Sequence, residues 1–139
     1  MQSTRSDLVE SALAAWNRGD FDVFASHLAE DVVWLEVAGR PENEGSELRG
    51  RDRLRRSLET LFDAWETYRL ELERTYEASD RVVAIVREVG RGRASGLEID
   101  SRLGYVVTVD GSEIVRVDAY RDPDRAVAAA EELKAKPDA

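Results

Sequence analysis

Asp110-Gly111 sits between two runs that alternate apolar and polar residues, Glu98 to Val109 and Glu113 to Tyr120. That pair accepts the positive φ values of a tight hairpin, so the two runs are expected to pair antiparallel. Two further alternating runs precede them, Thr67 to Tyr76 and Arg81 to Ala94. Glycines at 90, 92 and 96 suggest bends in the longer one. The second half of the chain therefore reads as a curved antiparallel sheet.

The first half reads as helices. Val9, Leu13 and Trp16 fall at helical spacing within Ser3 to Arg18, and Leu8 and Ala12 widen the stripe. Gly19 is a C-terminal stop, and Asp20 caps a short second helix carrying Phe21, Phe24, Ala25 and Leu28. Val32 to Val37 reads as a strand, and Ala38 to Gly50 as a polar surface loop. A third helix starts near Arg51, with Leu54, Leu58, Leu61, Phe62 and Trp65 on one stripe. Asp122-Pro123 opens a last alanine-rich helix to about Leu133, and Lys134 to Ala139 is expected to fray. With 139 residues and no linker or repeat, one α+β domain over 1–139 is expected, ordered over roughly 3–134. Its helices should pack on one face of a cone-shaped sheet and enclose one pocket.

Composition narrows the function. The net charge of −9 disfavours phosphate backbones and anionic lipid, so no nucleic acid and no membrane partner is expected. There is no cysteine and a single histidine, His27, which rules out thiolate chemistry and a histidine-rich metal site. His27 reads as a surface or capping residue. The opening MQSTRSDLVE lacks the apolar segment of a secretory signal, and a cytoplasmic protein is expected.

Several segments carry a resemblance: WNRGDFD at 16–22, LAEDVVW at 28–34, RGRD at 49–52, DRVV at 80–83, and Asp110-Gly111 followed by IVRVDAY at 114–120. In this order they resemble the SnoaL-like branch of the nuclear transport factor 2-like superfamily, which has the cystatin-like fold. The resemblance implies a cone-shaped α+β barrel, commonly a homodimer, with a pocket between sheet and helices. It implies no cofactor and a small hydrophobic molecule as ligand. Ketosteroid isomerases, polyketide cyclases and epoxide hydrolases share this fold, so the fold does not select a reaction.

Strand parity proposes the site. Val32, Trp34 and Glu36 share the face that the resemblance turns into the pocket. Glu36 falls where ketosteroid isomerases keep their catalytic aspartate. A carboxylate in an apolar cavity gains basicity, whereas at a rim it is simply solvated. Glu88 shares a face with Val82, Ala84 and Val86, and matches the place of an epoxide hydrolase aspartate. Its bland alternative is a cross-strand pair with an arginine. The arginine and second aspartate of the epoxide mechanism correspond to Val86 and Ala119, which argues against that mechanism. Tyr105 lies near the position of the isomerases' neutral acid donor, or is a core tyrosine. Their oxyanion tyrosine corresponds to about Ala12.

On the last strand, Val115, Val117 and Ala119 form one face, and Arg116, Asp118 and Tyr120 the other. Asp118 is a candidate acid only if a bulge reverses its side. Trp16, Trp34, Leu58, Phe62, Leu103, Val117 and Ala119 are the expected ligand-lining residues. The outer face of the long strand, with Val83, Ile85, Arg87, Val89 and Arg91, is a candidate dimer contact. The acidic run Glu42, Glu44 and Glu47 is a solvated loop or a gate that disfavours anions. The expected chemistry is that of a cyclase or isomerase with Glu36 as general base, or ligand binding without turnover.

Overall fold

In the computed structural model, residues 4–36 and 46–135 are described. Helix α1 (Arg5–Arg18) begins on a reciprocal capping box between Thr4 and Asp7, with both hydrogen bonds at 3.0 Å. It ends at Gly19, whose φ of 69° is the left-handed conformation that a glycine accepts without steric cost. The Asp20 carboxylate then accepts from the Val23 N–H at 3.2 Å and starts α2 (Phe21–Ser26). Six strands and two more helices follow: β1 (Leu28–Glu36), β2 (Ser46–Arg49), α3 (Arg51–Ala64), β3 (Trp65–Ala78), β4 (Arg81–Gly92), β5 (Glu98–Asp110), β6 (Glu113–Tyr120) and α4 (Pro123–Ala135).

The strands form one open sheet in the order β2-β1-β6-β5-β4-β3. The fold is α+β with a curved sheet around the N-terminal helices, as expected. The sheet does not close, so it is not a barrel in the strict sense. Nor is it wholly antiparallel, because β1 runs parallel to β6. Among the described residues, the only parallel strand pair is thus the one that joins the two halves of the chain.

Several boundaries differ from the sequence reading. Leu28 opens β1 instead of closing α2, because its backbone pairs with Ile114. Part of the expected loop, Ser46 to Arg49, is the edge strand β2, paired with Val33 to Glu36. Trp65 starts β3 and does not end α3. The long strand β4 stops at Gly92, short of Ala94. Glu42 and Glu44 lie outside the described residues, and the exposed Glu47 on β2 pairs with Arg49 at 3.1 Å.

The sheet is packed on both faces. Val82, Ala84 and Val86 of β4 join the core under α1 and α3, with Val9, Trp16, Leu54, Leu58 and Leu70. Val83, Ile85 and Val106 face the other way and are covered by Ala126 and Ala130 of α4. This two-sided burial explains the unbroken apolar run Val82–Val86. It also corrects two expectations. The helices are not all on one face, and Val83 and Ile85 are not free for a dimer contact.

Asn17, at the end of α1, holds the helices to the sheet. Its amide donates to the Leu70 carbonyl and accepts from the Leu70 N–H, both at 2.9 Å. Leu70 is fully buried on the edge strand β3, where its backbone has no strand neighbour on that side. Asn17→Ala leaves both groups without a partner. We expect a loss of about 1–3 kcal/mol in unfolding free energy, read by urea denaturation, with the far-UV spectrum retained.

Candidate functional site

A cavity of about 510 Å3 opens between the concave face of the sheet and helices α1 and α3. Leu54, Leu58 and Leu61 of α3 form its apolar roof. Trp16 of α1, Trp34 of β1 and Tyr68 of β3 form aromatic walls, and Leu103, Tyr105 and Ala119 form the floor on β5 and β6. Polar groups reach it from Glu36, Glu88, Ser57, Thr60 and Arg121.

Register explains the floor. Glu36 pairs with Ala119, and Ala119 pairs with Tyr105, so the three form one row across β1, β6 and β5. Only a methyl group stands between the carboxylate and the phenol. At the usual strand spacing their backbones are roughly 10 Å apart.

Glu36 accepts from Trp34 Nε1 at 3.0 Å and is exposed. It lines the mouth of the cavity and not its depths, so the expectation of a desolvated carboxylate is corrected to a rim position. Its strand parity nevertheless holds, since Trp34 and Glu36 both line the cavity while Val32 is core. Trp34 lies nearly parallel to Trp16, with centroids 6.2 Å apart, and edge-on to Tyr105 at 5.5 Å.

Glu88 is half-buried and accepts a short hydrogen bond from the Tyr68 hydroxyl. The arginine pairing considered for Glu88 is not formed among the described residues. Tyr68 reaches it because Gly90 lies opposite on β4. A Cβ there would stand 2.9 Å from the Thr67 carbonyl and 3.2 Å from the Tyr68 ring. Tyr68 was not singled out in the sequence. The signal existed, since Tyr68, Leu70 and Leu72 alternate toward the same core.

Tyr105 is only 7% exposed, and its hydroxyl has no hydrogen-bond partner among the described residues. Burial pushes its pKa well above the ordinary phenol range. The Glu88 and Glu36 charges add to this shift, and Arg121 opposes it. Tyr68 moves the same way, first through burial, then through Tyr105 and the Glu88 bond. Both phenols therefore remain hydrogen-bond donors throughout the neutral range.

Other expected residues fall elsewhere. Phe62 packs behind the wall, edge-on to Trp16 and Phe21, and Val117 is buried core. Asp118 points to the opposite face and pairs with Arg116 at 3.0 Å. A β-bulge does exist on this strand, between the Thr108–Arg116 and Val109–Ile114 pairs. It precedes Asp118, so it gives Ile114 the core place expected for Val115 and leaves Asp118 outside. His27 is the C-cap of α2, and its carbonyl accepts from the Ile114 N–H at 2.8 Å. Among the described residues, no three His, Asp or Glu side chains converge as a metal site, and no helix is long and apolar enough to cross a membrane.

Residues 9–117 match the family model of the SnoaL-like domain. The chain belongs to the SnoaL-like domain family. No curated protein matches it. Among solved structures, an NTF2-like protein from Burkholderia thailandensis E264 is 27% identical, with a TM-score of 0.75, covering 98% of this chain and 100% of that one. A protein provisionally assigned as a polyketide cyclase from Pseudomonas putida KT2440 is 22% identical, with a TM-score of 0.73, covering 87% and 93%. A ketosteroid isomerase-like fold protein from Catenulispora acidiphila DSM 44928, in complex with trimethylamine, is 17% identical, with a TM-score of 0.74, covering 92% and 95%. These likenesses agree on the SnoaL-like, NTF2-like fold.

The phenol shifts have a measurable sign. A raised folded-state pKa makes the folded form hold its proton longer than the unfolded one, so the stability they contribute is present below about pH 10 and falls above it. Alkaline titration by phenolate absorbance should show Tyr68 and Tyr105 protonated until the chain unfolds. Tyr105→Phe should remove one late-titrating phenol. A Tyr105 phenolate formed near pH 10 in the folded state would contradict the burial described here.

Proposed function

We propose that this SnoaL-like protein transfers a proton on a small, largely apolar carbonyl compound without a cofactor, as a cyclase or isomerase. The row Glu36–Ala119–Tyr105 carries the reading. A ligand lying over the Ala119 methyl has a carboxylate on one side and a neutral donor on the other. The Glu36 carboxylate takes the proton from the carbon next to the carbonyl. The electron pair left behind forms an enolate, whose oxygen accepts from the Tyr105 hydroxyl. Where a carbon–carbon double bond is conjugated with the enolate, returning the proton from Glu36 to its far carbon gives an isomer. Bonding of the deprotonated carbon to the carbon of a second carbonyl within the ligand, with the proton passed to that carbonyl's oxygen, gives a ring. The protonated Tyr105 hydroxyl, which has no hydrogen-bond partner among the described residues, supports this role.

Two observations distinguish the reading from the family's other chemistries. Val86 is buried core and Ala119 is floor, which leaves the epoxide-opening set without its arginine and second aspartate. Ala12 is buried and carries only a methyl group, so a steroid isomerase's second oxyanion donor has no equivalent there. Ligand binding without turnover is the second reading, favoured by the exposure of Glu36.

Exchange of α-hydrogens tests the two readings. In deuterium oxide, the native protein should speed deuterium entry into cyclohexanone above the buffer rate. Glu36→Gln and Tyr105→Phe should each slow that exchange by about a hundredfold or more, with the fold retained by circular dichroism. Ala119→Leu should fill the gap and block binding. Binding of the ketone with exchange at the buffer rate would establish the non-catalytic reading instead.

A further inference from the structure

The charge balance of the cavity departs from that of the rest of the chain. Elsewhere arginines pair closely with carboxylates: Arg55 with Asp22 at 2.5 Å, Arg87 with Asp100 at 2.6 Å, Arg102 with Glu73 at 2.9 Å. The two cavity carboxylates have no such partner among the described residues. Glu36 receives its hydrogen bond from an indole N–H and Glu88 from a phenol, both neutral donors. Arg121 stands at the rim, exposed, and bridges to neither. A half-buried carboxylate in an apolar, aromatic setting without a counter-charge is costly.

The walls around this negative charge are aromatic. Trp34 and Tyr68 each hold one of the carboxylates and line the same space. Aromatic faces carry negative potential and attract alkylated ammonium groups, most strongly where water is excluded. A second group asks for a ligand: the hydroxyl of the buried residue Tyr105 lines the cavity and has no acceptor among the described residues. The chain's net charge of −9 draws cations and repels anions.

We propose that the ligand of this cavity carries a positively charged alkylated nitrogen, which pairs with the Glu36 and Glu88 carboxylates, and a carbonyl or ether oxygen that accepts from Tyr105. The proposal rests on the reading that this cavity is the functional site, and it narrows the carbonyl compound to an amino-carbonyl class. The aromatic walls take the alkyl groups, and the carboxylates take the charge. The same two glutamates disfavour an anionic acyl compound, although Arg121 stands at the rim.

The test compares tetramethylammonium chloride with tert-butanol, a neutral molecule of nearly the same shape, on the full chain at low salt. Tryptophan fluorescence and chemical-shift changes of the Trp34 indole N–H report occupancy. The cation should bind roughly tenfold or more tightly than the alcohol. Glu36→Gln with Glu88→Gln should abolish that preference, because glutamine keeps the hydrogen bonds from Trp34 and Tyr68 and removes only charge. Circular dichroism checks the fold, and each single variant provides a milder step should the double variant not fold. Equal binding, tighter binding of the alcohol, or no response to the cation overturns the proposal. Ketone exchange that persists after such a failure leaves the proton-transfer reading standing. Cation binding without ketone exchange removes that reading and keeps this one.

Discussion

Two hydrogen bonds from one side chain set the geometry on which the rest depends. Asn17 satisfies both backbone groups of Leu70, a fully buried residue of the edge strand. An edge strand normally leaves such groups to solvent or to a foreign strand. Here the last turn of α1 takes the place of that neighbour. It thereby fixes Trp16, one residue before Asn17, against the ring of Tyr68, two residues before Leu70, at 6.3 Å. Two walls of the cavity are positioned by a contact that is not itself part of it.

The hollow follows from side-chain size as much as from curvature. Along the row Glu36–Ala119–Tyr105 a small residue lies between two large ones, and α3 spans the gap with leucines. Aromatic rings surround the hollow and lean on one another edge to face, Trp34 on Tyr105 and Phe62 on Trp16. Rings locked in this way do not fold inward to fill the space. The opposite face of the sheet shows the contrary arrangement. Gly104 there lies so close to α4 that a Cβ would come within 2.5 Å of the Ala126 methyl. One face is packed to contact, and the other is held open.

Much of this was legible in local patterns. The periodicity of α1 and α3, the Asp110-Gly111 turn, the Gly19 stop and the parity of Trp34 and Glu36 all follow from rules acting over a few residues. What escaped depends on partners remote in sequence. Ser46–Arg49 is a strand because β1 lies beside it, and Leu28 extends because Ile114 is there. The placement of Val115 failed because parity runs only as far as the next bulge. Glu36 reads as a pocket residue by parity, but its depth depends on how far the strand runs past the roof. Tyr68 was hidden for a different reason: its role needs Gly90 opposite it and Glu88 two residues earlier on the neighbouring strand.

The parallel pairing of β1 with β6 sets an order in time. The floor of the cavity joins Glu36, near the start of the chain, to Ala119, near its end. Closing so long a loop is slow compared with forming the β3–β4–β5–β6 meander, whose strands are neighbours in sequence. On a ribosome, α1, α2 and β1 emerge first; α1 can dock once β3 and β4 follow, whereas β1 has no inner strand neighbour until β6 arrives. Mutations that delay the meander therefore prolong exposure of the N-terminal segment, and their harm should appear as poor yield before it appears as lost function.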